Sequence, residues 1–95
     1  MDISKIKSIV TSYFSNLPVS KVYLFGSYAR GKANAASDID ILICPDKTLS
    51  LFTIGGYKSD LEKMTGKGVD VIPENSLDPL VKPYVQNDLM VVYER

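Results

Sequence analysis

Apolar residues recur at spacings of three and four over the first seventeen positions, as they do on one face of an amphipathic helix. Asp2 stands where a helix N-cap is expected, and Pro18 cannot be accommodated in the helix interior. The pattern therefore predicts a first helix whose buried face carries Ile3, Ile6, Ile9, Val10, Tyr13, Phe14 and Leu17.

The chain then alternates between short runs of strand-favouring residues and longer stretches with helical spacing. Strands are predicted at 21–25, 38–44, 69–72 and 89–93, and the first three end at Gly26, Pro45 and Pro73. Helices are predicted at 49–64 and 77–86, with a helical turn at the start of the stretch 26–36. This order predicts a single domain, residues 1–95, of α/β or α+β class, with a small mixed β-sheet flanked by helices.

Two features fit the predicted helices less well. Gly55-Gly56 interrupts the second one, at a cost of roughly 1 kcal/mol per glycine relative to alanine. Close packing against the sheet, or a later helix start, would account for the two glycines. Pro79 suits the first turn of the last helix, whereas Pro83 is difficult to place in that helix.

Composition excludes several kinds of chemistry. The 11 basic and 11 acidic residues balance, so charge gives no support for sequence-independent binding to DNA or RNA. The chain has no histidine to act as base or metal ligand, and its single cysteine, Cys44, cannot form an intrachain disulfide. No run approaches the roughly 20 apolar residues that span a bilayer, so we expect a soluble, cytoplasmic protein.

The candidate chemistry lies in carboxylates on two predicted strands. Asp38 and Asp40 are two residues apart and therefore point to the same face of their strand, while Ile39 points to the other. Asp70 lies on the strand at 69–72. If these two strands are neighbours, three carboxylates meet at one end of the sheet. Such oxygen ligands, together with phosphate oxygens, suit Mg²⁺ or Mn²⁺.

A candidate phosphate site precedes the carboxylates. Gly26 and Ser27 directly follow a predicted strand, where glycine lets the backbone approach a ligand and the serine N–H lies near the start of a helical turn. Arg30 could neutralise phosphate charge or could form a surface ion pair instead. The segment 26–32 also reads G-x-x-x-x-G-K, but Ala33 stands where a phosphate-binding loop needs serine or threonine, so we rank that interpretation lower.

These residues together resemble a known superfamily. Gly26-Ser27, then Ala29-Arg30-Gly31, then Ser37-Asp38-Ile39-Asp40 and a third aspartate on a later strand are similar to the DNA polymerase β-type nucleotidyltransferases. Within that superfamily the chain most resembles the minimal nucleotidyltransferase (MNT) antitoxins, the partners of HEPN-domain toxins. The resemblance covers nearly the whole chain, and it departs at Tyr28, where a basic residue is commoner, and at Ile41, where leucine is commoner.

The resemblance implies the polymerase β-type fold and transfer of a nucleoside monophosphate, AMP from ATP, to an acceptor hydroxyl. Asp38, Asp40 and Asp70 would be catalytic and would hold the metal ions, and Gly26, Ser27 and Arg30 would bind the nucleotide. In the MNT group the implied acceptor is a tyrosine of the HEPN toxin, which the transfer silences. A partner would also help so small a domain, as a homo-oligomer or hetero-oligomer.

Two alternatives stay open from sequence alone. The chain could be a binding module of the same fold that neutralises its partner by occlusion, without catalysis. It could also be a catalytic subunit whose acceptor is a small molecule or a nucleic acid, and the neutral charge argues against the nucleic acid.

Overall fold

The computed structural model describes residues 1–80 and 82–95, and at Tyr84 the backbone alone. Its helices and strands are, in chain order, α1 Ile3–Phe14, β1 Val19–Phe25, β2 Ile39–Pro45, α2 Leu51–Thr65, β3 Val69–Pro73, a 3₁₀ turn Glu74–Ser76, α3 Lys82–Gln86 and β4 Met90–Glu94. The described residues contain no helix long and apolar enough to cross a membrane.

The four strands form one mixed sheet in the order β3-β2-β1-β4. Strand β1 is antiparallel to both β2 and β4, whereas β2 and β3 run parallel. Helix α2 makes the crossover that a parallel pair requires. The antiparallel β1–β2 pair differs from the parallel sheet of phosphate-binding-loop enzymes, so the lower-ranked interpretation of the segment 26–32 does not hold.

Both long helices cover the same face of the sheet. Ile6 and Val10 of α1 and Leu61 of α2 meet Ile39 and Ile41 of β2 in the core. This is the face that the two-residue period of the strand predicted for the isoleucines. The opposite face at this end of the sheet is the one to which Asp40 belongs.

Capping residues explain where the two long helices begin and where α2 ends. The Asp2 side chain accepts a hydrogen bond from the Lys5 N–H, as predicted for the N-cap of α1. Ser50 caps α2 in the same way through Thr53, and Gly66 closes α2 with a φ of 70°. Helix α2 therefore starts two residues later than predicted.

The last predicted helix is much shorter in the structure. Leu77 is extended, Pro79 lies in a turn, and α3 covers only Lys82–Gln86, while Val81 of the predicted helix lies outside the described residues. Pro83, rather than Pro79, occupies the first turn of a helix, where a missing N–H costs no hydrogen bond. The prediction of a helix over 77–86 was therefore wrong at its start.

The glycine pair in α2 is not explained by either feature that the sequence offered. Gly55 and Gly56 lie inside α2 and are exposed, and a methyl group at either would meet no atom within 4 Å. Close packing is thus excluded, and nothing in the structure requires glycine at these two positions.

We expect Gly55→Ala and Gly56→Ala each to raise the free energy of unfolding by about 1 kcal/mol, because alanine loses less backbone entropy in a helix. Urea denaturation followed by circular dichroism measures the change. Gly66→Ala is the matched control, and it should destabilise by about 1–2 kcal/mol because its φ of 70° strains any side chain. A loss of stability in the Gly55 and Gly56 variants would contradict the prediction.

Candidate active site

The two strands that carry the candidate carboxylates are neighbours in the sheet. Parallel pairing of β2 and β3 sets Asp40 directly beside Asp70. Asp38 lies immediately before β2, where the Ile39 N–H donates to the Gly68 carbonyl at 2.9 Å. The antiparallel pairing of β1 places Phe25 opposite Asp40 on the other side. All three aspartates therefore lie at the end of the sheet where β1 delivers Gly26 and Ser27.

Asp40 is the most perturbed carboxyl group of the site. Partial burial, a hydrogen bond with the Asp70 carboxyl group and the negative charges of Asp70 and Asp38 raise its pKa from 3.8 to about 6, against the opposing charge of Arg30. Like charges held this close favour binding either a proton or a cation. Among the described residues, no three acidic or sulfur-bearing side chains are already close enough to enclose a metal ion. The carboxylates are therefore adjacent without forming a closed cage.

Two glycines leave the space that these carboxylates occupy. A Cβ on Gly26 would overlap the Asp40 carboxylate, and a Cβ on Gly68 would lie 2.5 Å from Asp38 Oδ1. Gly26 also has a φ of 75°, which a side chain would strain. The sequence pattern indicated Gly26 but missed Gly68. Its signal was a glycine directly before the strand that carries Asp70, which gains meaning only once β2 and β3 are known to pair.

The segment after β1 forms the predicted helical turn. The Arg30 N–H donates to the Gly26 carbonyl at 3.1 Å, and the Lys32 N–H donates to the Ser27 carbonyl at 2.9 Å. The turn buries Tyr28 in the core. Tyr28, which replaces the commoner basic residue, therefore packs in the core.

Arg30 lies near Asp40 but is paired elsewhere. Its Nη1 donates to Asp88 Oδ2 at 3.0 Å, in a pair whose side chains are 47% and 28% exposed. An exposed pair of this kind contributes about 0–1 kcal/mol, so a more highly charged anion could displace Asp88. Both sequence interpretations of Arg30, phosphate contact and surface ion pair, are therefore compatible with its position.

The donor set fits a hard divalent cation. All the candidate ligands are carboxylate oxygens, which Mg²⁺ and Mn²⁺ prefer, and the glycines on either side provide a cradle that side chains would fill. A cation would also relieve the repulsion that, together with partial burial, the larger cause, raises the pKa of Asp40.

Comparison with known proteins gives one family and full-length relatives. The model of a family described as "Nucleotidyltransferase domain" matches residues 3–92. A Methanocaldococcus jannaschii protein named "Putative protein adenylyltransferase" is 37% identical over 92 residues, which are 97% of this chain and 99% of the relative. Protein adenylyltransferase MntA of Thermococcus cleftensis is 30% identical over 96 residues, with 97% of each chain covered.

The fold is also found in a solved complex. The structure of a tri-AMPylated Shewanella oneidensis HEPN toxin with its MNT antitoxin contains a chain that matches with a TM-score of 0.71. The match covers 98% of this chain and 70% of that one, at 20% identity, a level that establishes similarity of fold.

The raised pKa of Asp40 makes a prediction for metal-free protein. The unfolded chain loses this proton near pH 4 and the native state near pH 6, so the stability that the proton contributes is complete below about pH 4 and lost as the pH rises through about 6. In EDTA, Asp40→Asn should therefore gain urea resistance relative to the wild type between pH 4 and 6, because its amide does not titrate. A constant difference between the two proteins across that range would contradict the assignment.

Proposed function

Because the chain belongs to the nucleotidyltransferase domain family, we propose that it transfers AMP from ATP to a hydroxyl group with the help of Mg²⁺ or Mn²⁺. The acceptor we propose is a tyrosine of a HEPN-type toxin, which makes the protein an antitoxin acting in the cytoplasm. The observation that carries the proposal is the parallel register of Asp40 with Asp70, beside the turn that begins at Gly26.

Each site residue has a proposed role. Asp38 and Asp40 would hold the metal ions against the triphosphate, and Asp70 would complete the site and accept the proton of the attacking hydroxyl. When bound, the metal would supply charge neutralisation and lower the pKa of that hydroxyl. Gly26 and Ser27 would hold the outer phosphates by backbone N–H groups and the serine hydroxyl. Arg30 would leave Asp88 to contact phosphate.

The proposed acceptor class is supported by the relatives. The M. jannaschii and T. cleftensis proteins are named as protein adenylyltransferases, and both match nearly end to end. The S. oneidensis complex pairs a chain of this fold with an AMP-modified HEPN toxin. A protein hydroxyl is therefore the acceptor that these similarities favour.

A second candidate function is neutralisation of the partner by occlusion alone. Leu51 and Phe52, at the start of α2, are 88% and 93% exposed, which is unusual for adjacent large apolar side chains. They follow Pro45 at the end of β2 opposite the carboxylates. A partner bound there would be held without using the site.

The two functions are separated by one experiment. The protein and its genetically adjacent partner are incubated with Mg²⁺ and each nucleoside triphosphate, and intact masses of both chains are recorded. We expect a gain of one or more AMP units on the partner with ATP. No gain on either chain, with the complex still formed, would favour occlusion.

Asp40→Asn should slow the transfer by more than about 100-fold, since even residues that only support metal ligands typically change activity 10- to 100-fold. The variant should keep its far-UV circular dichroism spectrum. Asp60→Asn is the matched control. Asp60 lies on α2 rather than at the site, and the asparagine amide oxygen can still accept the hydrogen bond from the Tyr13 hydroxyl. An Asp40→Asn protein as active as this control would exclude the proposed role.

Gly68→Ala should lower the transfer rate at least about 10-fold while leaving the fold intact. The added methyl group displaces the Asp38 carboxylate, and misplacement of a catalytic group by about 1 Å can cost about 100-fold. The Gly68 backbone lies outside the left-handed region, so the variant carries no strain of that origin. Transfer rates and urea midpoints measured together, with Gly55→Ala as control, test this. A Gly68→Ala enzyme with the wild-type transfer rate would contradict the proposed role of the Asp38 carboxylate in this position.

A further inference from the structure

At Val69, the first residue of β3, two side chains of α2 contact the outer edge of the strand. Strand β3 lies at the edge of the sheet, with β2 on its inner side. The Val69 N–H donates to Glu62 Oε2 at 3.1 Å, and Lys58 Nζ donates to the Val69 carbonyl at 2.6 Å. Helix α2 thereby satisfies both backbone groups of the residue that precedes Asp70.

Lys58 contacts three oxygen-bearing partners at once. Besides the Val69 carbonyl, its Nζ lies 3.3 Å from Glu62 Oε2 and 3.6 Å from Asp70 Oδ1. The contacts with Val69 and Glu62 are hydrogen bonds, whereas the contact with Asp70 is an ion pair beyond hydrogen-bond distance. Because Glu62 also accepts a hydrogen bond from the Val69 N–H, Lys58, Glu62 and the Val69 backbone form a closed ring of hydrogen bonds. The shortest of them joins Lys58 Nζ to the Val69 carbonyl.

These contacts place the Lys58 ammonium beside the Asp70 carboxylate, whose other contact in the site is a hydrogen bond with the Asp40 carboxyl group. The Asp70 side chain is 57% exposed and lies on an edge strand, and the neighbouring Asp40 and Asp38 carboxylates carry like charge. An exposed ion pair between two freely rotating side chains would contribute little. Here the Lys58 ammonium is already held by a backbone carbonyl, so less side-chain entropy is lost when it attracts Asp70.

We propose that Lys58 is a positioning residue that holds the Asp70 carboxylate in the orientation needed at the metal site. The proposal rests on the proposed function for its catalytic consequence. Its structural part, that α2 orients Asp70 through Lys58, stands on the contacts alone. Supporting residues of this kind typically change metal affinity or activity 10- to 100-fold when they are removed.

The test compares Lys58→Met, which keeps the length and removes the donors, with Lys58→Arg, which keeps the charge. Lys63→Met is the matched control, because Lys63 is an exposed lysine in the last turn of the same helix. Three quantities are measured: the AMP transfer rate, Mn²⁺ affinity in the presence of AMP-PNP from the electron paramagnetic resonance of free Mn²⁺, and hydrogen exchange of the Val69 amide.

We expect Lys58→Met to lower transfer and Mn²⁺ affinity about 10- to 100-fold, and Lys58→Arg to restore most of both. In an Asp70→Asn background, Lys58→Met should add no further loss of Mn²⁺ affinity, since its effect acts through Asp70. Faster Val69 exchange with unchanged Mn²⁺ affinity would mean that Lys58 stabilises β3 without orienting Asp70, and it would overturn the proposal. An increase in affinity would also overturn it, because Lys58 would then act as a competing cation.

Failure of this inference is distinguishable from failure of the proposed function. If the wild-type protein transfers no AMP but its Mn²⁺ affinity depends on Lys58, the proposed function is contradicted and the positioning role is supported. If Lys58→Met transfers AMP as well as the wild type, the proposed function is supported and the positioning role is contradicted.

Discussion

The parallel pairing of β2 with β3 is the constraint on which the site depends. Neither strand alone brings together more than the Asp38–Asp40 pair, and Asp70 joins them only because the register sets it beside Asp40. A slip of one residue would move every side chain of β3 to the opposite face, so the register and the site are specified together. The apolar side chains that fix the register, Val69 and Ile39, face the core on the other side of the sheet.

Bringing these carboxylates together is unfavourable, and the surroundings offset it only in part. Partial burial, followed by the hydrogen bond with Asp70 and repulsion from Asp70 and Asp38, raises the pKa of Asp40. Glycine at positions 26 and 68 leaves room for the side chains without relieving their charge. Positive charge comes from Arg30 and Lys58, and both are shared with other carboxylates, Asp88 and Glu62. The site therefore retains an excess of negative charge, which suits a binding partner that is a divalent cation.

Sequence reasoning recovered those features that follow from local periodicity. The two-residue period of a strand separates Asp40 from Ile39 and Ile41 whatever the tertiary fold, and the family resemblance confirmed by the comparisons depends on such local motifs. Gly68 and Lys58 could not be found in this way, because their contacts with Asp38 and Asp70 exist only after β3 pairs with β2 and α2 docks. The late start of α3 has a local cause: Pro83, not Pro79, occupies the first turn. For Gly55 and Gly56 the structure supplies no reason.

Helix α2 links the stability of the fold to the geometry of the site. Tyr57 and Leu61 are buried in the core, and Lys58 and Glu62, one position further along, contact the edge of β3. Each pair is spaced by four residues and so forms one stripe of the helix, and the two stripes lie about 100° apart around its axis. A rotation or shift of α2 that repacks Tyr57 and Leu61 must therefore move Lys58 and Glu62 as well. Because Lys58 also contacts Asp70, the packing of the covered face of the sheet is transmitted to the carboxylates on the open face.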